Sequence, residues 1–178
     1  CSLGALGVLA HRPAEFLHAG RRLLQARSLS LGALRQGLGV RREAEPGLRE
    51  RSFGELEGRT FTEIEAELPE QARRWRQRDP HFAPTGGETL VQLRERIAAT
   101  THRLAAQHTE QLIVLVAHGG VLDMLYRLAT GLDLQAPRTW LVTDASINRL
   151  LWTPQGLTLV GWADTQHLDT GSRDETVT

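Results

Sequence analysis

Residues 111–126 read QLIVLVAHGGVLDMLY and decide the fold class. The apolar run LIVLVA, with its β-branched members, is typical of a buried parallel strand. The run ends at His118, two glycines follow, and VLDMLYRLATG then has helical spacing with Gly131 as the expected C-cap. In open α/β proteins ligands bind where such strands end, so His118 is the first candidate site residue.

Helical patterns lie on the N-terminal side of this strand. Five residues fall at helical spacing and predict an amphipathic helix against a sheet: Leu90, Leu93, Ile97, Thr101 and Leu104. Thr60 and Glu63 have the spacing of a capping box, which predicts a helix running to about Leu68. Pro69 suits the first position of a second helix.

The C-terminal side predicts two short strands around a Pro-Gln-Gly turn, in SINRLLWTPQGLTLVGWAD. Helix, buried strand, helix and strand in this order favour an α/β fold, a three-layer α/β/α sandwich with a mostly parallel sheet. We expect 111–117 to be a central strand of that sheet.

Composition restricts the classes of function. The 178 residues suffice for one domain, and the formal net charge of zero argues against nucleic acid or an anionic membrane as partner. All 21 basic residues are arginine. Coding bias in GC-rich DNA explains this preference, and arginine side chains also suit phosphate binding. The single cysteine, Cys1, permits neither an internal disulfide nor a cysteine-based zinc site, and this fits a cytoplasmic protein. No apolar run approaches the ~20 residues of a membrane span.

The N-terminal segment differs in amino-acid composition from the rest of the chain. Residues 1–40 contain ten leucines, six glycines and a single acid, Glu15, without a strong strand pattern. A helix is possible from about Ala14 to Leu29. We therefore divide the chain into an atypical segment 1–44, a domain 45–168 and a polar tail 169–178.

Two constellations carry chemistry. The glycines after His118 let a ligand approach the backbone, and the first amides of the following helix favour an anion; the alternative is a histidine that merely caps the turn. The loop LRERSFGELEG, residues 48–58, contains Glu50, Glu55 and Glu57. A carboxyl group near a phosphate is a candidate proton donor, because the negative charge raises its pKa. Spacing alone does not choose among the three, and a solvated surface is the other interpretation.

Together the motifs LRERSFGELEG, TEIEAELPE, PTGGETLVQLRERI and LVAHGG, with SINRLLW and WADTQHL, resemble the histidine phosphatase superfamily in its phosphoglycerate-mutase-like branch. The resemblance covers about residues 45–168. It implies that Glu50 protonates the leaving-group oxygen and that His118 binds the phosphoryl group. It also implies that the Gly119 amide lies near the phosphate, and it places Gly87 and Glu88 beside the pocket as substrate contacts.

The implied function is hydrolysis or transfer of a phosphoryl group from a small phosphorylated metabolite through a phosphohistidine, with no cofactor and no metal ion. A homodimer is left open. The family's nucleophile lies in an Arg-His-Gly motif, which this sequence lacks; the nearest string is VLAHRP, residues 8–13, with His11. We interpret the N-terminal part as incomplete or replaced and expect poor turnover. The alternatives are a catalytically silent phosphate-ligand-binding domain and a truncated or frame-shifted product.

Overall fold

The computed structural model describes residues 4–10 and 43–168 of the chain. Its regular elements are β1 (Gly4–Ala10), α1 (Phe61–Glu67), α2 (Pro69–Arg76), α3 (Leu90–Gln107), β2 (Leu112–Ala117), α4 (Gly119–Thr130), β3 (Ile147–Thr153) and β4 (Gly156–Asp164). Short 3-10 turns lie at Pro46–Leu48, Gly54–Leu56 and Gln166–Leu168. The possible helix 14–29, His11 and the tail 169–178 lie outside the described residues.

The described strands form one sheet in the order β2-β1-β3-β4. β1 and β2 are parallel, with Ala5 opposite Leu112 and Ala10 opposite Ala117. The other two pairs, β1 with β3 and β3 with β4, are antiparallel, and the last is the hairpin that the Pro-Gln-Gly turn predicts. The α/β fold class is confirmed, although one of the three described strand pairs is parallel.

The strand predicted at 111–117 forms; in the sheet that the described residues form, β2 is at an edge and not in the predicted central position. An apolar run indicates contact between side chains and covering layers, and it carries no information about backbone partners on either side. One face of β2 carries Leu115 and Ala117, which are buried. The opposite face carries Leu112, Val114 and Val116, which are exposed.

The expectation that the N-terminal segment lacks a strand was also wrong. Gly4–Ala10 is a strand, and it pairs with β2 on one side and with β3 on the other. Two glycines in seven residues, Gly4 and Gly7, give this stretch low β-propensity. Pairing on both sides supplies hydrogen bonds that local propensity cannot anticipate.

The main core lies between the sheet and the helices α3 and α4. It consists of twelve buried residues: Leu48, Leu90, Leu93, Ile97, Leu115, Ala117, Val121, Leu122, Met124, Leu125, Leu134 and Leu150. The predicted apolar stripe of α3 is confirmed, since all its members are buried except the half-buried Leu104. Burying one leucine contributes about 2 kcal/mol. The described residues thus show the sheet and one of the two helical layers of the predicted sandwich.

A smaller cluster supports the loop that carries the three candidate glutamates. Leu56, Ile64 and Ala72 are buried, and Phe53 stacks on Trp75 with ring centroids 4.9 Å apart. The predicted capping box begins α1: the Thr60 hydroxyl accepts from the Glu63 amide, and the Glu63 carboxylate accepts from the Thr60 amide at 2.7 Å. Pro69 is the first residue of α2, as predicted. This packing anchors the loop against two short helices.

Candidate active site

Glu50 reaches across the domain to the N-terminal end of α4. One carboxylate oxygen accepts a hydrogen bond from the amide of Gly120 at 3.0 Å, and the other accepts from the amide of Arg51 at 2.8 Å. A Cβ atom at position 120 would lie 2.2 Å from Glu50 Oε1, so only glycine leaves room for the carboxyl group. Glu50 therefore lies at the helix end that follows His118.

The environment of Glu50 favours its protonated form more than water does. Burial raises the pKa of the Glu50 carboxyl, whereas the amides of Gly120 and Arg51 and the charges of Arg96 and Arg51 act in the opposite direction. Glu55 and Glu57, the other candidates in the loop, are exposed. The structure therefore distinguishes Glu50 from its neighbours, which spacing alone did not.

His118 is the N-cap residue of α4, between the end of β2 and the first helical turn. Its backbone is extended, with φ −112° and ψ 166°, and its carbonyl accepts the hydrogen bond of the Leu122 amide at 2.9 Å. The half-buried imidazole makes no capping hydrogen bond to the helix, so the alternative of a histidine that merely caps the turn does not describe it. His118 and the Glu50 carboxylate thus belong to the same helix end.

The glycines of the predicted site have different surroundings. Gly119 is the buried first residue of α4, next to His118. Gly87 donates its amide to the carbonyl of Pro84 at 2.8 Å, and a Cβ atom there would lie 3.1 Å from the carbonyl oxygen of Ser52. The loop of Gly87 is therefore packed against the loop that carries Glu50.

An arginine binds both oxygens of the Glu88 carboxylate, and Arg49 Nη2 lies 3.8 Å from Oε1. The two oxygens accept hydrogen bonds from Arg96 Nε at 2.8 Å and Nη2 at 2.6 Å, and Glu88 is only 8% exposed. The structure therefore brings Glu50, His118 and Gly119 to one helix end and packs Gly87 and Glu88 against the loop that carries Glu50. Contact of Gly87 and Glu88 with a substrate stays a prediction.

Two residues that sequence reasoning missed are Arg96 and Arg51. Arg96 Nη1 donates to the carbonyls of Gly47 at 2.9 Å and Arg49 at 3.0 Å. Arg51 donates from Nε to the carbonyl of Glu88 at 2.8 Å, and burial lowers the pKa of Arg51 to about 10, against the effect of the Glu88 charge. In the sequence both arginines stand among other charged residues, and nothing marks them as buried.

Asn148 has a structural role. It is 1% exposed, its side-chain oxygen accepts from the amide of Ala163 at 2.8 Å, and its amide group donates to the hydroxyl of Ser146 at 3.2 Å. The first of these bonds joins β3 to β4, at the end of the hairpin away from its turn. Among the residues that the structure describes, no group of three or more histidine, cysteine, aspartate or glutamate side chains is placed to hold a metal ion. No helix in the described ranges is long and apolar enough to cross a membrane.

Comparison with known proteins gives a family match over most of the chain. Residues 28–165 match the histidine phosphatase superfamily (branch 1). A glucosyl-3-phosphoglycerate phosphatase of Mycolicibacterium vanbaalenii is 36% identical over 94 residues, which are 49% of this chain and 41% of that protein. A metal-independent phosphoserine phosphatase of Arabidopsis thaliana is 31% identical over 125 residues, 69% of this chain and 50% of that protein. The chain spans about half the length of the curated relatives it matches.

Solved structures share the fold. The alpha-ribazole phosphatase of Shigella flexneri superimposes with a TM-score of 0.72 at 21% identity, covering 90% of this chain and 96% of that one. YhfR of Bacillus stearothermophilus superimposes with a TM-score of 0.75 at 19% identity, covering 93% of this chain and 100% of that one. At these identities the likeness concerns the fold alone.

Proposed function

Because this chain belongs to the histidine phosphatase superfamily, we propose that its site binds the phosphoryl group of a small phosphorylated metabolite and belongs to an enzyme that works through a phosphohistidine. In this proposal His118 binds the phosphoryl group and Glu50 is the proton donor. The observation that supports it is the Glu50 carboxylate on the Gly120 amide, at the helix end that follows His118. The relatives are phosphatases, which supports the same class of reaction.

The chemistry follows from this geometry. A helix N-terminus attracts an anion because its first amides lack partners in the helix. The amide of Gly120 bonds the Glu50 carboxylate, so in this proposal it is the amide of Gly119, next to His118, that faces the phosphoryl group. A histidine nitrogen attacks phosphorus, the bond to the leaving-group oxygen breaks, and that oxygen takes a proton from Glu50. Water then attacks the phosphohistidine and releases inorganic phosphate. The raised pKa of the Glu50 carboxyl suits the donor, because more of it is protonated near neutral pH.

The proposed reaction needs a nucleophilic histidine besides His118. The sequence contains no Arg-His-Gly motif, and in VLAHRP the histidine precedes the arginine and a proline replaces the glycine. Without a nucleophile held in line with the P–O bond, several powers of ten in effective molarity are lost. We therefore propose that the chain as written turns over phosphomonoesters poorly. The same observation favours the second candidate function, a domain that binds phosphate ligands without catalysis.

Binding and turnover are tested separately. Isothermal titration calorimetry with inorganic phosphate should show binding. His118→Ala should abolish it, whereas Glu55→Gln, an exposed change in the loop of Glu50, should leave it intact. Hydrolysis of p-nitrophenyl phosphate should be weak or absent. Robust turnover that His11→Ala abolishes would show that VLAHRP supplies the nucleophile. Absence of phosphate binding by the unmodified chain would overturn the proposed function.

A further inference from the structure

The segment that carries Glu50 is held from both sides by arginine side chains. Before Glu50, Arg96 Nη1 donates to the carbonyls of Gly47 at 2.9 Å and Arg49 at 3.0 Å. After Glu50, Arg51 donates from Nη2 to the carbonyl of Phe82 at 3.0 Å and from Nε to the carbonyl of Glu88. The backbone on either side of Glu50 is thus tied to α3 and to the loop that precedes it.

Both arginines converge on Glu88. Its carboxylate accepts the two parallel hydrogen bonds of Arg96, its carbonyl accepts from Arg51 Nε at 2.8 Å, and its amide donates to the carbonyl of Ser52 at 2.9 Å. A bidentate pair fixes the plane of the guanidinium group, which a single contact does not. Because the Arg96 and Glu88 side chains are 15% and 10% exposed, solvent screens the pair weakly.

We propose that Glu88 is a positioning residue, which acts through Arg96 to hold the Glu50 carboxyl on the amide of Gly120. The proposal rests on the proposed function, because it is the proton donor of that reaction that Glu88 would hold in place. Without the Glu88 charge, the Arg96 fork loses the partner that aims Nη1 at Gly47 and Arg49. The segment before Glu50 then moves, and small displacements of a reacting group cost large factors in rate.

The chain offers a matched control on the same helix. Arg103, two turns after Arg96 on α3, forms an ion pair with Glu45, which lies at the start of the same segment. The Arg103 and Glu45 side chains are 47% and 24% exposed. Arg103→Gln therefore removes one arginine and one tether of the segment without changing the contacts next to Glu50.

The test observes the Gly120 amide by 1H–15N NMR during a pH titration of the full chain. An amide that donates to a carboxylate changes its chemical shift when that carboxylate is protonated. We expect a titration step in the unmodified chain and in Arg103→Gln, and no step in Glu50→Gln, which removes the titrating group. We expect Glu88→Gln to abolish the step although Glu50 is present.

Arg96→Lys is the second variant, in case Glu88→Gln fails to fold. Lysine keeps the charge but cannot bond the Glu88 carboxylate and both carbonyls with one planar fork, so the step should be lost again. A step that persists unchanged in either folded variant would overturn the proposal, as would a step that Glu50→Gln does not remove. Titration of the same samples with inorganic phosphate distinguishes the two failures: binding without positioning rejects only this inference, and no binding rejects the proposed function.

Discussion

Two carboxyl groups lie on α4 about one helical turn apart: Glu50 contacts the helix from another loop, and Asp123 belongs to the helix. The groups that bind the two carboxylates are different. Glu50 accepts hydrogen bonds from two backbone amides, that of Gly120 at the helix end and that of Arg51 in its own loop. Asp123, in the second turn, is surrounded by three guanidinium groups, those of Arg78 at 2.9 Å, Arg127 at 3.1 Å and Arg138 at 3.3 Å. Amides stabilise a carboxylate without carrying a charge that must be neutralised, so Glu50 can lose or gain a proton at modest cost. The Asp123 carboxylate instead forms ion pairs with arginine side chains, among them the buried Arg127.

The difference teaches how one helix serves two purposes. Arg127 is fully buried, lies over the ring of Trp140 at 4.8 Å and donates to the carbonyls of Asp133 and Ala136. Asp123 therefore anchors the chain that follows α4. At the N-terminal end of the helix the partner of the carboxyl group is instead a backbone amide, which Gly120 leaves accessible to Glu50. Stability should depend on the Asp123 group, and proton transfer on the Glu50 group.

The largest expected effect is that of Asp123→Asn. The substitution keeps the shape of the side chain but leaves the fully buried Arg127 without its anion. Breaking a buried pair in this way costs about 3–5 kcal/mol, so the free energy of unfolding in urea should fall by that order. Asp164→Asn removes the anion of the more exposed Arg149 and is the control. An equal loss in both variants would contradict the distinction between anchor and surface pair.

Gly120→Ala should have the next largest effect. The new Cβ atom would lie 2.2 Å from Glu50 Oε1, so the carboxyl must leave the helix end. Alanine is favoured over glycine in helices by about 1 kcal/mol, but such overpacking costs about 1–3 kcal/mol, so we expect a small net loss of stability. With burial relieved, the pKa of the Glu50 carboxyl should fall towards its ordinary value, as 13C NMR of the side chain would show.

Gly161→Ala is the matched control, because a Cβ atom there lies at an ordinary contact distance of 3.6 Å from Arg149. It should leave the titration of Glu50 unchanged. If Gly120→Ala left that titration unchanged as well, the contact between Glu50 and the helix end would have no energetic significance.

The pH dependence of stability gives a smaller effect with a definite sign. Because burial raises the pKa of Glu50, the folded chain binds this proton more tightly than the unfolded chain. Stability from this group is therefore greatest below the ordinary pKa of glutamate and declines as the pH rises through the raised value. Glu50→Gln removes the decline, so in urea unfolding the variant should gain stability relative to the unmodified chain as the pH rises from the ordinary pKa of glutamate through the raised pKa of Glu50. Glu57→Gln, an exposed change in the same loop, is the matched control.

The sequence predicted the elements whose physics is local. The capping box at Thr60, the proline start at Pro69 and the stripe Leu90–Leu93–Ile97 depend on residues a few positions apart, and all are confirmed. The strand Gly4–Ala10 was missed because its stability comes from two partners more than 100 residues away in the chain. The edge position of β2 in the described sheet likewise depends on a strand partner that is distant in the chain.

The candidate site shows the same division. Glu50 and His118 could be named because their motifs resemble a family, and the strand-to-helix turn indicated where His118 lies. The Glu88–Arg96 pair could not be found, since eight residues separate its members and surface pairs have the same composition. Burial is what gives this pair its significance, and burial depends on how the loop before α3 packs against the loop of Glu50.

The smallest expected effect sharpens the same point. Arg73 bonds Glu70 through Nε at 2.9 Å and Nη2 at 2.6 Å, which is nearly the geometry of Arg96 on Glu88. The side chains of Arg73 and Glu70, however, are 55% and 67% exposed, so water and salt screen their charges. Holding two exposed side chains in one geometry also costs conformational entropy. Glu70→Gln should therefore leave the urea midpoint unchanged within error at 0.15 M salt, whereas Glu88→Gln should lower it clearly. A loss in Glu70→Gln as large as that in Glu88→Gln would mean that hydrogen-bond geometry, and not burial, determines what an arginine–glutamate pair contributes here.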